Sequence, residues 1–238
     1  MCLKRQGDGM ATSRKIINTG LSLLFAAALF LFILSFSISL PIYFRPFYYA
    51  HIGALNLAET SGFTAAEIKE AYNAVLDYLT LPGRKFSAGV LAFSPDGAAH
   101  FADCKVLFNL NADVLFGSGL CLLVLGILRK ADKIGSFIFG RHSASFYSAV
   151  AAIILPIVIG GLAAVNFDRA FVIFHSIFFP NKENWLFDPY TDEIINVLPQ
   201  EFFINCAILI GASILIFSAS LILAEAIRLK KRKASVNT

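Results

Sequence analysis

The sequence predicts an α-helical polytopic membrane protein with four transmembrane helices and a small extracytoplasmic cap of interfacial helices plus a short β-hairpin. Three observations predict it. Of 238 residues, 57% are hydrophobic and only 15% charged, with a mean hydropathy of +0.70, whereas soluble domains average about 45–50% apolar and about 25% charged. Four nearly uncharged apolar runs have the roughly 20-residue length that a helix needs to cross a bilayer. The segments joining them alternate in character, one set rich in Lys and Arg and the other in Asp and Glu. Four crossings leave on the order of 150 residues outside lipid, too few for a large soluble enzyme domain, so residues 1–238 read as a single membrane domain.

The first span is placed at about 16–40. No small-x-small cleavage pattern follows it, so it reads as an uncleaved signal anchor. The loop of about 41–108 is longer than a connector requires, and its sequence predicts that it folds. Thr64-Ala65-Ala66-Glu67 forms a capping box, with Phe63 and Ile68 as the matching hydrophobic staple. Ile68, Tyr72, Val75, Leu76 and Leu79 then recur at helical spacing until Pro82-Gly83. Gly89 to Phe93, Ser94-Pro95-Asp96-Gly97 and Ala98 to Phe101 read as strand, type I turn and returning strand, a hairpin carrying His100.

The second span is placed at about 109–128, which sets Asp113 about 6 Å inside its end at 1.5 Å per residue. Gly117-Ser118-Gly119 within it reads as helix packing. The third is placed at about 146–165, where Pro156 should kink the helix or free a carbonyl and Gly160 and Gly161 suit close packing. The loop of about 166–202 is dense in aromatic rings, which favour the bilayer interface. In it, Asp168 begins a helix through Phe179 whose face carries Phe171, Phe174, His175 and Phe178, and Asp188-Pro189 starts a second, short helix stopped by Pro199. The fourth span is placed at about 203–226.

Thirteen of the 20 basic residues flank the first span on its N-terminal side, join the second span to the third, or follow the fourth. The positive-inside rule therefore places both termini in the cytoplasm and the loops 41–108 and 166–202 outside. The same assignment explains the net charge of +4 as a topology signal, so no nucleic-acid partner is expected. Cysteines at 2, 104, 121 and 206 form no CxxC pair, disulfide framework or zinc pattern.

Topology sorts the four histidines. His142 follows Arg141 on the inner side and reads as solvated or headgroup-facing, while His51, His100 and His175 lie on the outer side. His100 and His175 stand out as polar groups within apolar segments, and imidazole is the side chain whose ordinary pKa lies nearest neutrality. Each is open to a structural or an acid–base role. Asp103 can orient an imidazole, if the chain is helical there, or cap the second span. Lys105 can hold a phosphate or an oxyanion, or simply snorkel to the interface. Cys104 can serve as a thiol nucleophile or as a buried structural residue. No GxSxG elbow, HExxH or HxE zinc pattern occurs, so acid–base chemistry with no cofactor and no metal is the economical expectation.

Several stretches together resemble a known family. They are Pro46-Phe47-Tyr48, Ala71-Tyr72, Asp77-Tyr78-Leu79, His100-Phe101-Ala102-Asp103-Cys104-Lys105, Phe174-His175-Ser176-Ile177-Phe178-Phe179, Asn184-Trp185-Leu186-Phe187-Asp188-Pro189 with Asp192, and Leu198-Pro199-Gln200-Glu201-Phe202-Phe203. The resemblance is to the bacterial lipoprotein intramolecular transacylases, covers nearly the whole chain and is most specific over 171–203. It implies a bacterial plasma-membrane protein, membrane lipid as surroundings and a diacylglyceryl-modified lipoprotein as substrate. The reaction it implies moves the sn-2 acyl chain to the α-amine of the substrate's N-terminal cysteine, leaving a lyso-form. Such an O-to-N shift needs no enzyme nucleophile but does need acid–base groups near the lipid surface. On this reading His100 and His175 share the catalysis. Asp103, Asp188 and Asp192 orient an imidazole or the substrate ammonium, Lys105 and Arg169 hold the ester or a headgroup, and Trp185 helps to seat acyl chains. Two competing classes are a non-catalytic lipid-handling or assembly protein and a thiol enzyme working through Cys104.

Overall fold

The computed structural model describes residues 2–235, with the side chains of 15–161 and 165–235. Its elements in order are α1 (Cys2–Tyr43), α2 (Pro46–Ala54), α3 (Leu57–Ser61), α4 (Ala65–Thr80), α5 (Pro95–Lys130), β1 (Ile138–Phe139), β2 (His142–Ser143), α6 (Ala144–Val165), α7 (Phe167–Phe178), α8 (Ile194–Val197) and α9 (Gln200–Ala234). Among the described residues four stretches are long and apolar enough to cross a membrane: Lys15–Tyr43, Pro95–Lys130, Ala144–Gly161 and Gln200–Ala234. Their flanks leave many large apolar side chains exposed, among them Phe116, Leu120, Ile154, Ile157, Ile208 and Ile216, as expected of helices whose solvent is hydrocarbon.

The chain divides into two compact units. Among the described residues, one comprises 2–36, 114–157 and 212–235. Its core gathers Leu125, Phe137 and Ala144 with Phe25, Ala26 and Ile134. Phe25 stacks on Phe137 at 4.4 Å between centroids, Phe36 meets Phe217 edge-on at 5.3 Å, and the Ser148 hydroxyl donates to the Ala26 carbonyl at 2.8 Å. β1 and β2 pair antiparallel with Ile138 opposite Ser143 and Phe139 opposite His142. Glu225 anchors this hairpin: it accepts from the Ser143 backbone and hydroxyl and from two guanidinium nitrogens of Arg228. His142 therefore differs from its expected solvated state, since its Nδ1 lies 3.3 Å from Glu225 Oε1 and its ring stacks on Phe146 at 4.4 Å.

The other unit comprises residues 37–113 and 158–211. The apolar stripe of α4 (Ile68, Tyr72, Val75, Leu76, Leu79) is buried with Tyr48, Leu57, Ile194, Val197 and Phe202. Tyr48 and Tyr72 stack face to face at 3.7 Å, and the Tyr48 hydroxyl satisfies the Val197 carbonyl at 2.7 Å; burial pushes both phenols above their ordinary pKa. Arg45 ties α2 to α4 through Asp77 and through Asn73 at 3.0 Å. The capping box is present: Glu67 N–H donates to Thr64 Oγ1 and Thr64 N–H donates to Glu67. At Gly89 the backbone takes φ +64°, and a Cβ would stand 3.2 Å from the Ala71 backbone, so this crossing over α4 requires glycine.

Four expectations are corrected here. Residues 89–101 form no hairpin; α5 begins at Pro95 and runs 36 residues, and the strand pair lies instead at 138–143. Ser94-Pro95 fits a turn, but it fits equally a helix N-cap followed by Pro at the first helical position. Ser94 Oγ accepts from Gly97 N–H at 2.9 Å, and Ala98 and Ala99 then favour the helix. The α7 cap is Asn166, whose side chain accepts from Arg169 N–H at 2.9 Å, with Asp168 in the first turn. Asp188-Pro189 opens a turn, with Asp188 accepting from Tyr190 N–H, and α8 is a single turn starting at Ile194. Gly160 and Gly161 do not mark close packing: a Cβ at either would meet nothing within 4 Å among the described residues. Gly119 lies under the Phe32 ring at 3.4 Å.

Candidate functional site

Within the unit of residues 37–113 and 158–211, two helices deliver the two expected histidines to one place. α5 is fixed at its start by Ser94, whose backbone and hydroxyl both donate to Asp192 at 2.9 Å. Gly97 is required there, since a Cβ would collide with the Asp192 carboxylate. His100 follows on the second turn. α7 is capped by Asn166 and stops where Phe179 N–H bonds the His175 carbonyl at 2.7 Å, because Pro180 cannot continue it. His175 is thus in the last turn.

The imidazole centroids lie 5.7 Å apart, and the residues are 8% and 6% exposed. Aromatic rings enclose them. His175 stacks on Trp185 at 4.5 Å and contacts Phe171 at 4.1 Å and Phe174 at 5.4 Å. His100 meets the edges of Phe179 at 5.0 Å and Phe187 at 5.4 Å. His175 Nδ1 is 2.8 Å from the Phe171 carbonyl. A carbonyl only accepts, so Nδ1 carries the proton and Nε2 carries the lone pair. Burial lowers the His175 pKa below its ordinary value, partly opposed by that hydrogen bond. His100 Nε2 lies 3.4 Å from Cys104 Sγ, one helical turn on, and its Nδ1 is buried with no hydrogen-bond partner among the described residues.

The remaining candidates fall into distinct places. Asp103 is on a helix, as orienting an imidazole would require, yet its oxygens engage Lys182 and Asn184 Nδ2, the latter at 3.1 Å. Trp185 is held by its indole N–H, which donates to the Lys182 carbonyl at 2.9 Å. Lys105 donates to the Leu81 carbonyl at 3.2 Å and sits 4.3 Å over the Tyr78 ring, joining α5 to the end of α4. Asp192, 5% exposed, serves Ser94 and Thr191. Asp188 shapes its own turn, and Arg169 is exposed in the first turn of α7. His51 has both ring nitrogens engaged, by the Phe47 carbonyl at 2.7 Å and Asn205 at 3.0 Å. Among the described residues no group of three His, Cys, Asp or Glu could hold a metal. A separate cleft of about 470 Å³ is lined by Tyr49, Ile52, Asn56, Glu59 and Lys69 and contains neither imidazole.

Sequence reasoning missed Lys182 and Asn184 as members of this cluster, and Phe179 and Phe187 as its walls. The available signal was the polar run Asn181-Lys182-Glu183-Asn184 interrupting an aromatic-rich segment just after Pro180.

Chemically, the cluster offers a proton acceptor with a defined tautomer, a second imidazole 5.7 Å away between ring centroids, and an apolar enclosure that limits water. The model of the family described as lipoprotein intramolecular transacylase Lit matches residues 23–203. The solved structure of the membrane-integral lipoprotein intramolecular transacylase Lit from Bacillus cereus is similar with a TM-score of 0.81 and 26% identity, over 93% of this chain and 99% of that one. A variant of that protein with one histidine replaced by arginine matches at 0.79 and 26%, over 96% and 99%, and one with histidine replaced by alanine at 0.75 and 26%, over 98% and 100%. None of the curated proteins compared matches this chain. With a family match over three quarters of its length and full-length structural likeness on four membrane-crossing helices, the chain belongs to the lipoprotein intramolecular transacylase Lit family, membrane-integral acyltransferases.

Proposed function

We propose that this acyltransferase moves the sn-2 acyl chain of a diacylglyceryl-modified lipoprotein to the α-amine of the lipoprotein's own N-terminal cysteine, using His175 as base and His100 as acid. The observation that carries this reading is the pair of buried imidazoles 5.7 Å apart, one with its Nδ1 proton fixed by a carbonyl. His175 Nε2 accepts a proton from the α-ammonium, whose ordinary pKa is about 7.7–8.0. The freed nitrogen attacks the ester carbonyl carbon, forming the C–N bond. With the Cys104 thiol donating to His100 Nε2, the ring proton of His100 stands on Nδ1 and supports the developing oxyanion. Collapse breaks the bond between acyl carbon and sn-2 oxygen, and that oxygen takes a proton as the glyceryl hydroxyl. From ammonium to amide the nitrogen gives up two protons: the first goes to His175 and is released to solvent as the base resets, and the second, lost as the C–N bond forms, is passed through His100 to the glyceryl oxygen, so one proton leaves per turnover and no water or co-reactant is consumed. The aromatic enclosure favours transfer over hydrolysis by excluding the competing nucleophile.

The same reading sets the site at the extracytoplasmic face of a bacterial plasma membrane with both termini inside, supported by the distribution of Lys and Arg. α7 exposes Val172, Ile173, Phe174, Ile177 and Phe178, a face suited to lie in the lipid interface beside the acyl chains. Arg169 at the start of α7 suits an anionic headgroup, while Asp103, Lys105, Asp188 and Asp192 position the elements that carry the histidines and the aromatic wall.

The test is mass spectrometry of a reporter lipoprotein's N-terminal peptide in a host that leaves diacylglyceryl lipoproteins. An unchanged total mass with one acyl group moved from glycerol to nitrogen is expected. His100→Ala and His175→Ala should each lower transfer by about 10²–10⁴-fold with the protein still in the membrane. An unmodified N-terminus with folded wild-type protein, or full activity in either variant, overturns the corresponding part.

A further inference from the structure

The segment between α7 and α8 carries a polar group that the acid–base pair does not use. Asn184 Nδ2 donates to one oxygen of Asp103 at 3.1 Å, while the other oxygen is paired with Lys182. A carboxylate only accepts, so the amide must present its NH₂ to Asp103; the flipped amide would set oxygen against oxygen. That orientation leaves Asn184 Oδ1 buried with no hydrogen-bond partner among the described residues, an arrangement that folded proteins seldom keep without a use. Its neighbours locate it. Asp103 is three residues along α5 from His100, and the next residue after Asn184, Trp185, stacks on His175 at 4.5 Å.

Resting on the reading above of which atoms react, we propose that Asn184 Oδ1 accepts a hydrogen bond from the substrate's α-amino group and so selects a free N-terminal amine. An α-ammonium offers three N–H groups, enough for Asn184 and His175 Nε2 together. After deprotonation one N–H stays on Asn184 while the lone pair attacks. An amide oxygen suits this better than a carboxylate, because it binds ammonium and amine without a charge that would hold the nitrogen protonated. Lys182 serves the same end by neutralising Asp103. The product amide keeps a single N–H and no basic lone pair, so its hold on this acceptor weakens and release follows.

The test uses the purified full chain in micelles and two non-transferable probes, diacylglyceryl-cysteine peptides with an ether in place of the sn-2 ester, one with a free α-amine and one N-acetylated. Each competes against a transferable peptide. Wild type should favour the free amine about tenfold, equivalent to roughly 1.4 kcal/mol. Asn184→Leu should bring the two within about twofold while leaving the acetylated probe's binding unchanged. An undiminished preference in Asn184→Leu, or an equal loss for both probes, overturns the proposal. Asn184→Asp provides a second reading: its kcat profile should shift to higher pH as the carboxylate holds the ammonium, and an unmoved profile counts against the proposal. Wild type that transfers acyl groups while the variant still discriminates sinks only this assignment; wild type that transfers nothing sinks the reading beneath it.

Discussion

At the scale of single residues, the decisive feature is how little charge the enclosure can hold. His175 loses water to Phe171, Phe174 and Trp185, and burial lowers its pKa from the ordinary 6.5. The unfolded imidazole therefore binds a proton that the folded one resists, so this residue's contribution to stability is present above about pH 6.5 and lost as pH falls below it. Heat stability in detergent should decline in that acidic window, and Trp185→Ala, which readmits water, should both soften the decline and move the His175 titration upward by imidazole NMR. An unmoved titration would mean that the indole does not control the ring's solvation. Cys104 is a second single-residue question, because its sulfur lies 3.4 Å from His100 Nε2. If the thiol only steers the imidazole, Cys104→Ala should keep transfer within about tenfold of wild type, since S–H bonds are weak. A loss as large as that of a histidine variant would put the sulfur in the reaction path.

At the scale of elements, the ends of helices decide where the imidazoles go. The cap of α4 contributes locally: Thr64→Ala should cost about 0.5–2 kcal/mol, read as a lower melting temperature with activity per folded molecule retained. Gly97 acts on the site itself. Gly97→Ala forces Asp192 and the start of α5 apart, and a displacement near 1 Å at His100 should cost on the order of 10²-fold in transfer; wild-type rates in that variant would show that the junction yields without moving the ring. These elements also show what the sequence makes legible. The capping box of α4 and the aromatic face of α7 are local signals, written within one turn, and both were readable. Ser94-Pro95 supports a turn and a helix start equally, and the choice was made by Asp192, nearly a hundred residues away. Asp188-Pro189 misled for the same reason, as its carboxylate closes a turn with Tyr190 and leaves the helix to begin at Ile194. His100 and His175 were recoverable as odd residues in apolar surroundings; the engagement of Asp103 by Lys182 and Asn184 was not, because tertiary contact carries no mark in either segment.

At the scale of the whole chain, membership in a transacylase family places it among enzymes and removes the reading as a mere lipid-handling partner. The proposed sidedness rests on charge alone and is testable by charge-independent means. In a cysteine-less background, Glu183→Cys should react with an impermeant maleimide added to intact cells, whereas Lys231→Cys should react only after permeabilisation; equal labelling from outside would invert the topology. One earlier feature reaches further. α5 carries a transmembrane segment and His100 on a single uninterrupted helix of 36 residues, about 54 Å at 1.5 Å per residue, against a hydrocarbon core of about 30 Å. The helix is therefore longer than the hydrocarbon it has to cross, and His100 belongs to the same continuous helix as the segment in lipid. On the proposed chemistry, transfer measured in vesicles of shorter and longer acyl chains should therefore differ for one and the same enzyme, and equal rates across thicknesses would show that His100 keeps its place whatever lipid surrounds the helix.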